Sequence, residues 1–170
     1  RVSKSGAVFD REKLNWMNQQ YLLKLTQEEY FRMIDHVTQK GDYHDQDPGK
    51  IRQAAEILKT RLVTLSDLNQ KLGLFFEENP EIKDLQAIEV LKEENSKTVL
   101  KEFLQQAENL DQLTSENLGQ LVKSVQKTTG IKGRGLWMPL RCAITREVSG
   151  PELPAMLDFF GGEKCLHLIR

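Results

Sequence analysis

Apolar residues recur along the chain at intervals of three and four. Phe31, Ile34 and Val37 form one such stripe. Ile51, Ala54, Ala55, Leu58 and Leu62 form another. Val99, Leu100, Phe103, Leu104 and Ala107 make a third, and Leu118, Leu121, Val122 and Val125 a fourth. This spacing predicts amphipathic helices. Punctuation agrees with it. Asp10 is a suitable N-cap, with Phe9 and Leu14 placed as a hydrophobic staple. Thr26 and Glu29 have capping-box spacing, and Gly41 is a natural stop. Asp47-Pro48 puts a cap before a proline at the first helical position. Thr64 to Asp67 opens a short helix with Leu68 and Leu72 inward. Thr114 to Asn117 caps another, which Gly130 ends. A last helix runs from Pro151 through Phe159 and stops at Gly161 and Gly162. No stretch alternates with period two, and no Asn-Gly hairpin occurs. The pattern breaks at Asn79-Pro80. The predicted class is therefore all-α, in two consecutive helical bundle subdomains, 1–78 and 79–170.

Composition narrows the class. The 170 residues are 39% hydrophobic and 29% charged, with a net charge of −1. That is the balance of a folded globular chain. No apolar run approaches the roughly 20 residues that span a bilayer, so no membrane partner is expected. The first residues carry neither Met nor a capped start and suggest a piece of a longer protein. The two cysteines, Cys142 and Cys165, are too few for a disulfide framework or a four-ligand zinc site. Charge is uneven: residues 1–76 are net +2, residues 77–117 net −7, and residues 118–170 net +4. The acidic middle is either a solvated helix face or a surface that repels a polyanion, so any nucleic acid should avoid it.

Enzymatic motifs are scarce. His36, His44 and His167 have no second histidine at metal spacing. Asp45, Asp47 and Glu56 fall at positions 1, 3 and 12 of a calcium loop, but Lys50 stands where the turn glycine belongs. No metal site is expected. There is no nucleophile elbow, no phosphate-binding loop, and no histidine assignable to either cysteine. The expected catalytic residues are none. Lys132-Gly133-Arg134-Gly135 is read as a flexible basic loop able to meet RNA phosphates. After it come Trp137 and Arg141. Arg141 is flanked by apolar residues on a helix predicted to follow Pro139, so it must pair locally, snorkel to solvent, or aim a planar donor fork at a ligand.

The segment Trp137-Met138-Pro139-Leu140-Arg141-Cys142-Ala143-Ile144-Thr145, followed by Gly150-Pro151-Glu152-Leu153, resembles the C-terminal region of bacterial-type glutamyl-tRNA synthetases. That family reads F-M-P-L-R-x-A-L-T-G-x-x-x-G-P-x-L there. Val2-Ser3-Lys4-Ser5-Gly6-Ala7-Val8-Phe9-Asp10, Lys13 to Asn18, and Tyr21-Leu22 resemble a segment just beyond the family's catalytic domain. The two matches stand in the family's order. Val2-Ser3-Lys4-Ser5 also looks like the K-M-S-K-S loop that binds ATP, but Phe9-Asp10 and the following helix place it downstream of that loop.

The resemblance implies an α-helical anticodon-binding region in two subdomains. It implies tRNA(Glu), with or without tRNA(Gln), as the RNA partner. The second partner would be an N-terminal catalytic domain of the same polypeptide, in a monomer of the bacterial cytoplasm or an organelle. ATP and Mg²⁺ would belong to the full-length ligase, and this part would need no cofactor. Residue by residue, the family's anticodon contacts fall on Arg141, Gly150, Pro151 and Leu153. The reader of the first anticodon base falls on Lys59 or Arg61. Lys132, Arg134 and Arg146 are added as cations beside them. Arg146 departs from the family, which often has Gly after the Thr. A helix start at Pro151 would offer free N–H groups, and Leu153 a face for a base. From a different class, a helical protein-docking module with an acidic surface is the competing expectation.

Overall fold

The computed structural model describes residues 10–170, and these are helical without a strand. Residues 2–9, which carry part of the N-terminal resemblance, lie outside the described residues. The helices are α1 (Arg11–Lys24), α2 (Gln27–Thr38), α3 (Pro48–Leu58), α4 (Asp67–Phe76), α5 (Leu85–Lys92), α6 (Glu94–Ala107), α7 (Ser115–Thr129), α8 (Arg134–Thr145) and α9 (Leu153–Ile169). A 3₁₀ turn covers Lys59–Arg61. The expected caps are present. Asp10 accepts from the Lys13 N–H, Thr26 and Glu29 form a capping box, and Asp47 accepts from the Lys50 N–H. Thr114 and Asn117 form a second box. Each cap satisfies amide donors that a helix start leaves without partners. No helix among the described residues is long and apolar enough to cross a membrane.

The chain divides into two units, one ending at Leu72 and one covering Gly73–Arg170. The helix break does fall around Asn79-Pro80, between Phe76 and Leu85. The units separate earlier than the 78/79 position read from the sequence, because the end of α4 carries Phe75 into the second unit. Its ring meets Phe159 edge-on at 4.9 Å and Phe160 at 5.8 Å. An aromatic cluster of this kind outweighs the sequence break.

In the first unit, α2 packs Tyr30 and Ile34 against Ile51, Ala54, Ala55 and Leu58 of α3. The Tyr30 hydroxyl donates to the Ala55 carbonyl at 2.7 Å, so its polar tip is satisfied within the core. Arg52 grips Asp35 through two bonds, Nε to Oδ1 at 3.0 Å and Nη2 to Oδ2 at 2.5 Å. Those bonds hold the Asp35 carboxyl below its usual range. Helix α1 is tied to the 3₁₀ region by side-chain amides: Asn18 donates to Val63 O and Gln19 to Thr60 O.

In the second unit, α8 is the central helix and packs against α5, α6 and α9. Leu136, Leu140, Ala143 and Ile144 of α8 are buried together with Val99, Phe103, Met156 and Leu157. The sequence placed a flexible loop at 132–135 and a helix only after Pro139. Instead α8 starts at Arg134, and Pro139 lies inside it with its ring buried. The predicted stop at Gly161 is a kink, not an end. Gly161 has φ 76° and ψ 164°, and the helix resumes to Ile169. That conformation is essentially restricted to glycine. Gly161→Ala should therefore destabilise the second unit by about 1–3 kcal/mol in urea denaturation. An unchanged midpoint would mean that α9 can straighten without loss.

Candidate nucleic-acid interface

The turn between α8 and α9 is fixed from three directions. Thr145, fully buried, donates its hydroxyl to the Arg141 carbonyl, and the same oxygen lies 2.9 Å from the Glu147 carbonyl. Gly150 lies against that side chain so closely that a Cβ there would sit 2.0 Å from Thr145 Oγ1. Only glycine fits. The third tie comes from α5. Asp84, its N-cap, accepts from Gln86 and Ala87 with Oδ1 and from the Val148 N–H with Oδ2 at 2.9 Å. The Val148 bond is the leading cause that lowers the Asp84 pKa. One carboxylate thus starts a helix and pins a loop 64 residues away. The sequence reading missed Asp84. Its only signal was a capping residue before Leu85 in a segment read as merely acidic.

Each candidate then has a definite place. Arg141 is partly covered, and its Nη2 donates to Glu152 Oε2 at 3.0 Å. The local pairing expected for an isolated arginine is therefore made, with one bond from a five-donor fork. Arg134 begins α8 and, with Lys132, is exposed. Trp137 lies between Arg134 and Arg141 on the outer face of the helix. Gly150, Pro151 and Leu153 are buried. Leu153, 3% exposed, fills the core and offers no face to a base. Helix α9 starts at Leu153 with Glu152 as N-cap, so the free amides begin two residues later than a start at Pro151 would give. Burial of Pro151 and Leu153 seats the turn, so neither side chain is presented to solvent.

Arg146 is the C-cap of α8 with φ 63°. A left-handed residue here explains why the resembling family often carries glycine. Its Nε is buried without a hydrogen bond, and burial lowers its pKa. The side chain lines a pocket of ≈ 440 Å³ with Asn79, Leu100, His167 and Ile169. In the first unit, Lys59 stands 4.6 Å over the Tyr30 ring and donates to Leu25 O at 3.4 Å. It is engaged in packing. Arg61 ends the 3₁₀ turn and is partly exposed. The cysteine thiols are buried, which pushes Cys142 up to about 11 and Cys165 up to about 12. Neither is a ready nucleophile. Among the described residues no cluster of three His, Cys, Asp or Glu could hold a metal ion.

A rigid turn beside a basic, aromatic helix face suits an unpaired nucleic-acid strand, and the comparisons agree on that class. A family profile described as an anticodon binding domain matches residues 17–170. The chain belongs to that family. It is 34% identical over 175 residues to the glutamate–tRNA ligase of Geobacillus stearothermophilus, covering 100% of this chain and 36% of that protein. To the glutamate–tRNA ligase of Lactiplantibacillus plantarum it is 35% identical over 168 residues, covering 96% and 34%. It thus spans about a third of the length of these relatives. The crystal structure of a glutamate tRNA ligase from Elizabethkingia meningosepticum has the same fold over 99% of this chain and 33% of its own, with TM-score 0.68 and 24% identity.

Two measurements test this geometry. The depressed Asp84 pKa stabilises the fold above the ordinary value of 3.8, and that contribution fades as pH falls through the folded value. Asp84→Ala should lower the urea midpoint at pH 7, and the gap to the unsubstituted chain should narrow below pH 3.8. A gap independent of pH would mean that the carboxylate does not hold Val148. Arg146→Gly should raise stability by about 1 kcal/mol, since it removes left-handed strain and breaks no side-chain hydrogen bond. A loss would show that the arginine stem packs usefully in its pocket.

Proposed function

We propose that this chain is the anticodon-binding part of a glutamate–tRNA ligase that works in the bacterial cytoplasm. The observation that carries the reading is the match to an anticodon binding domain over 17–170, on a fold whose α8–α9 turn is rigidly held beside Arg134 and Arg141. The anticodon of tRNA(Glu) lies along the outer face of α8. Arg141, oriented by Glu152, points its remaining donors at a base edge, and Lys132 and Arg134 meet phosphates. Arg146, already desolvated, adds positive potential at the end of the helix. Tight anchoring matters because a loose reader loses its discrimination when it relaxes onto the wrong base.

Chemistry belongs to the remainder of the ligase, where ATP and Mg²⁺ activate glutamate. This part takes no catalytic step and positions the tRNA. Leu14, Trp16, Met17, Tyr21 and Leu23 leave apolar surface exposed on more than one side of α1. Such a helix suits burial against further protein, here the rest of the ligase. A purely protein-docking role for the acidic 77–117 stretch is less favoured. Its carboxylates are partly used locally, with Glu89 paired to Lys92 and Glu94 to Lys97. RNA would avoid that surface.

The reading predicts two distinguishable losses. Arg141→Ala should weaken binding of the tRNA(Glu) anticodon stem-loop by about 1–3 kcal/mol, and the penalty should shrink when the anticodon is substituted. Arg134→Ala should weaken all anticodon sequences about equally and reduce the salt slope by about 1. Fluorescence anisotropy across a salt series measures both. If Arg141→Ala lowers thermal stability but leaves anticodon discrimination intact, Arg141 is structural and the base contact lies elsewhere.

A further inference from the structure

Trp137 is the exposed large aromatic side chain of the second unit, at 43% exposure. Its neighbours Leu136, Pro139 and Leu140 are all buried, so the helix beneath it is firmly seated. Among the described residues the indole meets no aromatic ring and lies under no cation. An exposed indole on a well-packed helix is a rigid apolar plate with little rotamer entropy to lose on binding. Its setting is cationic. Arg134 lies three residues before it and Arg141 four after, so the three share one face over about 10 Å of helix. Glu152, the N-cap of α9, is bonded to Arg141. The other tryptophan, Trp16, sits on α1, outside the stretch matched to the anticodon binding domain.

On the footing of the anticodon-binding reading, we propose that Trp137 is a stacking platform for one unpaired base of the anticodon loop, bracketed along α8 by Arg134 and Arg141. A flat apolar ring between two cations complements a flat base between two phosphates. Every base has a π face, so stacking supplies affinity without choosing the base. Arg141 supplies the choice. The division of labour separates this site from a phosphate contact: removing the indole costs affinity yet takes no charge from the interface, so the salt slope stays.

The test uses the 170-residue chain with Trp16→Phe, which leaves Trp137 as its only indole. A labelled tRNA(Glu) anticodon stem-loop is titrated while indole emission and label anisotropy are both followed. The indole should be quenched with the same midpoint as the anisotropy rise. Trp137→Ala should weaken binding about 10- to 100-fold with an unchanged salt slope, and Trp137→Phe should restore most of it. Replacing loop nucleotides one at a time by abasic sites should abolish the quench at a single position. If the RNA binds while indole emission and the Trp137→Ala affinity stay unchanged, stacking is wrong and the anticodon-binding reading survives. If the unsubstituted chain shows no anisotropy rise, both fall together. Quenching that persists with every abasic loop would overturn the base contact and leave Trp137 near the backbone.

Discussion

The fit of Gly150 against Thr145 is the constraint on which the shape of the α8–α9 turn depends. Thr145 is the last residue of α8, and its hydroxyl is turned inward to the carbonyls of Arg141 and Glu147. A Cβ at Gly150 would overlap that side chain, so the return of the chain into α9 is set by the absence of one methyl group. Asp84 then fastens the middle of the same turn from a different helix. With those contacts made, Glu152 stands where it meets Arg141. Arg141 and Trp137 are therefore held at fixed places on one rigid surface. RNA readers built on rigid elements keep the geometry that separates a correct base from a wrong one.

The electrostatic layout serves the same end by different means. The acidic middle of the chain occupies α5, α6 and their flanks, where pairs such as Glu94–Lys97 join neighbouring turns of one helix. Exposed pairs of this kind contribute little to stability, with a median of about 0–1 kcal/mol. On the proposed reading their value is directional: an anionic strand would be repelled there and accepted along Lys132, Arg134 and Arg141. Arg146 adds a half-buried charge at the cost of a left-handed backbone, which is a departure that invites a functional explanation.

Helices were legible because their ends were. Asp10, Thr26, Asp47 and Thr114 announced four starts through side-chain caps that act locally, and Gly130 announced a stop. The division between units was harder to read, since it depends on Phe75 meeting Phe159 more than 80 residues away. Pro139 misled in the same manner. A proline ordinarily ends or begins a helix, whereas here the packing of α8 carries the helix through it. At the site, Arg141 and Gly150 could be named from their motif, but their roles could not. Leu153 looked like a base platform and is a core residue, and Lys59 looked like a reader and stacks on Tyr30. Asp84 showed only as a capping residue, because nothing in a sequence tells which loop a capping carboxylate also holds.

The central claim is that RNA lies on the outer face of α8 and the turn after it. Amide hydrogen exchange of the chain, alone and saturated with deacylated tRNA(Glu), tests it most directly. The account predicts slower exchange confined to residues 132–141 and 147–153, with the acidic helices α5 and α6 unchanged. Protection centred on α5 and α6, with α8 and its turn exchanging as before, would contradict it.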